Sequence, residues 1–293
     1  MDYQPRAVIV GAGPNGLTAA ARLAMAGWSV DIYERAGRAG GAAASSAEIF
    51  PGTIVDLGAA GHPFGVASPA FRALGLEAHG LRWCNAPYPM AHPLEGAPAG
   101  VLHGSVADTA AGLGADDQAW RRLHGHIVRH IDEHVDNALT PLVRWPEHPV
   151  RLAQFGAPGV LPASALARAA FTSPQARALF AGSAVHAITS PTRAFTSAFG
   201  LLFGALGMTR GWPVVEGGTQ ALADALVWPL LMWHMLGIDN KGIPHELLDV
   251  AILVRDGFII AMAVIVLRQM WNNTEDKVRA AHTGRDPVAG VFQ

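Results

Sequence analysis

The sequence predicts an α/β fold: a nucleotide-binding βαβ unit at the N-terminus, a mostly helical region after it, and a hydrophobic helical tail. Three observations carry this. Residues from Ala7 to Glu34 read in order as strand, glycine turn, helix, strand and acid. Between about Ala107 and Arg210, apolar residues recur at helical spacing. After Leu226 the composition shifts to two apolar blocks split by a polar turn.

The first strand is Ala7 to Val10, a short apolar run of the kind buried in a parallel sheet. Gly11, Gly13 and Gly16 follow at G-x-G-x-x-G spacing, with Ala12, Pro14 and Asn15 between them. Gly11 permits the tight turn, Gly13 lets backbone approach a diphosphate, and Gly16 lets the helix pack close to the strand. A helix is expected from Leu17 to Ala26, ended by Gly27, with its N-terminal amides and dipole aimed at the diphosphate. Trp28 to Tyr33 reads as the second strand. Glu34, beside Arg35, ends it at the distance where an acid accepts hydrogen bonds from ribose hydroxyls and repels a 2′-phosphate.

Arg38, Gly40 and Gly41 extend this pattern to Glu-x-x-x-Arg-x-Gly-Gly. Here the chain resembles the phytoene dehydrogenase-like branch of the flavin amine oxidase superfamily. The resemblance implies a partial FAD-type Rossmann domain, with FAD as cofactor and the glycine pair giving backbone close approach to it. Ala42 stands where that family often has a further arginine. Asp56, Leu57, Gly58 and Ala59 fall where the family returns a turn to the flavin, though Asp56 reads equally well as a turn former. Glu216 to Gln220 falls where the family re-enters the flavin domain just before a helix, and a plain helix-entry turn is the alternative. The resemblance runs from about Tyr3 to Leu226. It divides the chain into an FAD-binding part (1–106), a helical substrate or cap region (107–210), a return segment (211–226) and a divergent hydrophobic tail (227–293).

In the middle, Trp120, Leu123, Ile127, Ile131, Val135 and Leu139 predict one amphipathic helix. His126, His130 and His134 lie four apart on it. That spacing can align imidazoles, but no matching carboxylate or cysteine cluster is evident, so a solvated face is expected and no metal site. A second helical stretch, Ala163 to Ala184, is punctuated at Thr172, Ser173 and Pro174. Ala194 to Gly207 is apolar nearly all round and reads as core, with the lining of a lipophilic pocket as the alternative. No spacing assigns a catalytic acid, base or nucleophile.

Formal net charge is −2 with no long basic run, which argues against a nucleic-acid partner. The single cysteine, Cys84, excludes an internal disulfide and a multi-cysteine metal site. In the tail, Asp249, Arg255 and Asp256 interrupt the apolar block Leu247 to Leu267. Its unbroken part, Gly257 to Leu267, would reach only about 16 Å as a helix. The tail is therefore expected to pack on protein, in a cytoplasmic chain with at most peripheral membrane contact.

The leading expectation is an FAD-dependent oxidoreductase acting on a lipophilic small molecule, the substrate class resting on the resemblance and the apolar middle. A competing reading is a truncated or hybrid remnant without catalysis, with weak or no nucleotide binding and a membrane-attached tail. It arises because the return strands and the glycine-rich C-terminal segment of the family are not visible after Leu226.

Overall fold

The structure, a computed structural model, describes residues 5–139 and 145–236. It opens with strand β1 (Arg6–Val10), helix α1 (Pro14–Met25) and strand β2 (Ser29–Tyr33). The two strands are parallel, with Ala7 opposite Val30 and Val10 opposite Tyr33. Such pairing needs a crossover, and α1 supplies it. The helix begins at Pro14 rather than at the expected Leu17. A proline is well placed in a first turn, where its missing N–H would have had no helical acceptor. Gly27, at φ 83°, closes the other end, as expected.

A hairpin of β3 (Ser45–Phe50) and β4 (Thr53–Asp56) follows, then α2 (Pro63–Ala67) and α3 (Pro69–Leu74). Ser68 caps α3 by accepting from the Phe71 N–H. Strand β5 (Trp83–Cys84) pairs much later with β8 (Val214–Val215), and β6 (Met90–Leu94) forms a hairpin with β7 (Ala97–Leu102). Leu102 is buried among the helices that follow.

The helical region comprises α4 (Val106–Ala111), α5 (Asp117–Arg129), α6 (Ile131–Ala138), α7 (Pro149–Gly159), α8 (Ala163–Ala170), α9 (Pro174–Ala184) and α10 (Thr196–Arg210). The single helix expected from Trp120 to Leu139 is two helices. His130 leaves the helical region of backbone space (φ −119°, ψ 33°) and separates α5 from α6. Apolar spacing stays in phase across this break, which is why periodicity alone runs the two together. Thr172 and Ser173 separate α8 from α9 as expected: Asp116 accepts from both backbone N–H groups and from the Thr172 hydroxyl.

Two cores result. One gathers Trp120, Ile127, Val135, Phe171, Leu179, Phe180, Leu201 and Leu206, with α10 buried through its middle. The other lies under the βαβ unit: Leu17 and Ala21 of α1 meet Leu76, Leu81, Val215, Leu222 and Leu226. Leu222 and Leu226 belong to α11 (Gln220–Leu236), which packs on α1. The compositional break at Val227 is no structural break, because α11 runs through it and Val227 packs against the same core. The rest of the tail, including the block Leu247 to Leu267, lies outside the described residues. Among the described residues no helix is long and apolar enough to cross a membrane.

Candidate nucleotide-binding site

The glycine turn joins the end of β1 to the start of α1. Gly11 takes φ 97° and donates its N–H to the Tyr33 carbonyl at 2.7 Å, fastening the turn to β2. A side chain is disfavoured at that φ. Gly13 is the N-cap of α1. A Cβ on Gly16 would overlap the Gly11 carbonyl oxygen, so no other residue lets helix and turn approach this closely. The amides of the first turn of α1 have no intrahelical acceptor, and the helix dipole places positive potential there. Asn15 is exposed at this end.

Glu34 follows β2 directly and turns back onto the turn. Its carboxylate accepts from the Ala12 N–H at 2.7 Å and the Ala36 N–H at 2.8 Å. These bonds, Ala36 foremost, hold the carboxyl below its usual range. Glu34 is therefore ionised at neutral pH and pins the loop from Gly11 to Gly13. The exposed Arg35 beside it adds a smaller effect of the same sign.

Gly40 and Gly41 lie against this turn. The Gly40 N–H donates to the Ala12 carbonyl at 2.9 Å. A Cβ on Gly41, at φ 55°, would sit 3.0 Å from the Gly13 Cα, so two backbones meet here with no side chain between them. The turn after β4 closes the group. Ala59 donates to the Ala42 carbonyl at 2.7 Å, and a Cβ on Gly58 would come within 2.6 Å of that same oxygen. The sequence-selected residues Gly11, Ala12, Gly13, Pro14, Gly16, Glu34, Gly40, Gly41, Gly58 and Ala59 are thus brought into one backbone cluster at the N-terminus of α1.

Arg38 points elsewhere. Its guanidinium pairs with Asp224 of α11 at 2.8 Å, both groups more than half exposed. An exposed pair adds little stability. Its effect is positional, because it ties the loop to α11.

Other ties come from residues that local spacing does not reveal. Asp56 accepts from the Ser45 hydroxyl at 2.6 Å and from the Thr219 N–H at 2.7 Å. It therefore satisfies an N-terminal amide at the entry to α11. Burial pushes the Asp56 carboxyl up, but the bonds from Ser45 and Thr219 outweigh it and hold the group below its usual range. Gln220 donates to the Ala39 carbonyl and to Asp224. The His62 ring meets the Thr219 hydroxyl at 3.1 Å, and burial lowers its basicity against a smaller upward pull from Asp56. Asp56 and Thr219 lie 163 residues apart, so only the matched segments around each, not any short-range pattern, could suggest that they meet.

The histidines on α5 and α6 do not form a solvated face. His126 and His130 are neighbours, with ring centroids 5.2 Å apart, and His134 is 3% exposed against Phe155 of α7. Arg151 places its guanidinium 3.0 Å from the His126 Nε2, and Glu133 takes His130 at 2.8 Å. The face is covered because α7 packs onto α6, which the periodicity of α5 and α6 alone does not reveal. Cys84 is exposed and unpaired.

Residues 9–74 match the family of NAD(P)-binding Rossmann-like domains. No curated protein matches the chain. Similar solved structures include wild-type putrescine oxidase bound to putrescine, 20% identical with a TM-score of 0.50. An oxidoreductase from Methanosarcina mazei is 18% identical with a TM-score of 0.46. In both cases the match covers 78% of this chain and 49% of the other. The chain therefore spans about half the length of the structures it resembles, and the likeness to putrescine oxidase is one of fold. The N-terminal region is Rossmann-like in fold, within an α/β chain.

Proposed function

We propose that this chain is an FAD-dependent oxidoreductase of the phytoene desaturase-like type, with 1–106 and 211–226 holding the cofactor and 107–210 capping a lipophilic substrate. The observation that carries the cofactor reading is the backbone cluster of the Gly11–Gly16 turn, Gly40–Gly41 and Gly58–Ala59 at one helix N-terminus. A plain dinucleotide turn needs only the first of these. A cofactor that continues past its diphosphate suits a longer strip of bare backbone, and the second and third glycine turns supply one. The Cβ-free approach of Gly13 and Gly41 fits such a group.

In this reading the α1 amides and the Gly13 backbone receive the diphosphate. Glu34 receives the adenosine ribose, exchanging its bond from Ala12 or Ala36 for one from a ribose hydroxyl. Gly40, Gly41, Gly58 and Ala59 line the path beyond. Arg38, through Asp224, and Asp56, through Thr219, hold α11 and the two turns in place. When bound, FAD supplies the redox chemistry as a hydride acceptor, and the chain supplies position and a dry surface. No side chain is assigned an acid or base role. The substrate reading rests on the family resemblance and the apolar helical region, and the same apolar character supports peripheral contact with a membrane from the cytoplasmic side.

Purified full-length chain titrated separately with FAD and with NAD tests this. Saturable quenching of flavin fluorescence, with NAD failing to compete at equal concentration, supports it. NAD uptake without FAD uptake turns the site into an ordinary dinucleotide turn. Uptake of neither favours the non-catalytic remnant.

A further inference from the structure

A second group of ligand-type side chains lies where α6 meets α7, away from the glycine turns. Glu133, Asp136 and Asn137 occupy positions three and four apart on α6, and so share one side of it. Glu147 and His148 stand immediately before α7. Asn137 fixes the two pieces together. Its Nδ2 donates to the His148 carbonyl at 3.0 Å, and its Oδ1 accepts from the His148 N–H at 3.3 Å. This clamp sets the His148 backbone against α6 and delivers its ring between two carboxylates. Nδ1 lies 3.8 Å from the Glu133 Oε2, and Nε2 lies 3.8 Å from the Asp136 Oδ2. Both separations exceed a hydrogen bond. The separation between the His148 Nε2 and Asp136 leaves room for an ion between nitrogen and oxygen.

We propose that Asp136, Glu147 and His148 bind a divalent transition-metal ion, with Zn²⁺ the best match. One ligand atom from each lies within 4.8 Å of the other two. Zinc takes nitrogen and carboxylate oxygen at about 2.0–2.2 Å in a tetrahedron, so closing this group needs side-chain rotations of about 1 Å. Two carboxylates balance the charge of the ion, and water completes the fourth position. The imidazole selects against Mg²⁺ and Ca²⁺, which prefer oxygen alone and more ligands. Glu133, which receives Arg151 at 2.9 Å and His130 at 2.8 Å, lies outside the three groups whose ligand atoms fall within 4.8 Å of one another. The same Arg151 makes the His126, His130 and His134 group a poor cation site, since its guanidinium contacts the His126 Nε2. A bound ion would staple the end of α6 to the start of α7, and so brace the wall that covers these histidines.

The test uses EDTA-stripped full-length chain carrying Cys84→Ser, which removes the exposed thiol as a competing ligand. Calorimetric titration with ZnCl₂ should show one ion per chain and a rise in Tm, with no response to equimolar MgCl₂. Co²⁺ should give the visible absorption bands of a tetrahedral site. Asp136→Asn combined with Glu147→Gln keeps side-chain shape while removing both charges, and should weaken Zn²⁺ binding by at least about 100-fold. His148→Ala should abolish the Co²⁺ bands with the far-UV circular dichroism unchanged. Absence of stoichiometric binding in the parent chain overturns the proposal. So does binding that persists in both variants, which would put the ion elsewhere.

Discussion

The helical region and the two strands of the βαβ unit treat their apolar residues in opposite ways. Around α10, Trp120, Leu179 and Phe180 are completely enclosed. In the βαβ unit α1 covers one face of the β1–β2 pair, while Val8 and Val10 are 59% and 86% exposed. Parallel strands ordinarily have both faces covered. The difference teaches where each property of the molecule resides. Enclosed apolar surface is concentrated in the helices. The geometry of the candidate site is held by backbone approach and by bonds from distant segments: Asp56 to Thr219, Arg38 to Asp224, Gln220 to Ala39. Those bonds do not require a wide sheet beneath them.

If so, the largest loss should come from the enclosed core. Trp120→Ala removes a wholly buried ring that stacks on His124 and contacts Phe171, and should cost about 3–5 kcal/mol in chemical denaturation. A loss under about 1 kcal/mol would mean that the helices do not carry the stability.

The same core should be acid-sensitive. Burial lowers His124 from its ordinary 6.5 to about 4, against a smaller upward pull from the Trp120 and Gly200 carbonyls. Burial, aided by His126, does the same to His134. Between those values the unfolded chain holds more protons than the folded one, so stability falls as pH drops from 6.5 towards 4. Above 6.5 these groups contribute no slope. The loss reaches at most about 3 kcal/mol for each histidine. His124→Gln or His134→Gln should flatten the midpoint-against-pH curve in that window, and an unchanged curve would remove the histidines as its cause.

Gly16→Ala acts on the other region. Its methyl group would overlap the Gly11 carbonyl, forcing α1 off the turn at a cost of about 1–3 kcal/mol. Hydrogen exchange should quicken in β1, α1 and β2 while α9 and α10 keep their protection. Uniform quickening would show one cooperative unit where the comparison requires two. The smallest effect belongs to the open face: Val10→Ser should change stability by less than about 0.5 kcal/mol, as at an ordinary surface position. A larger loss would show that something covers Val10 in solution.

The βαβ unit was the most legible part of the sequence, because each of its signals has a local cause. An apolar run, a glycine that needs positive φ and an acid at the strand end are read within about thirty residues. The helix boundary moved only from Leu17 to Pro14. The break at His130 was not legible, since α5 and α6 keep one apolar phase across it. The burial of His134 depends on α7, and a helix face cannot announce what covers it. Within the candidate site, Gly58 and Ala59 could be placed near Gly41 only through resemblance. Gln220 was legible only as part of a helix-entry segment, and Asp224, which pairs with Arg38, carries no local signature at all. The continuity of α11 through Val227 was hidden because a change in composition looks like a change in structure when the partner helix, α1, lies two hundred residues away.

If the glycine turns form a cofactor cradle, Gly13 is where a side chain should damage it most. Its φ of −80° suits any residue, and a Cβ there meets only the Gly41 Cα, at 3.8 Å. Gly13→Val should therefore keep the fold while filling the space that a diphosphate needs. The measurement is FAD titration of parent and variant, followed by flavin fluorescence, with circular dichroism and Tm recorded on the same samples. Saturable binding is expected from the parent chain, and at least about a 100-fold weaker response from a folded Gly13→Val. Equal FAD affinity in the two proteins would contradict the cofactor cradle.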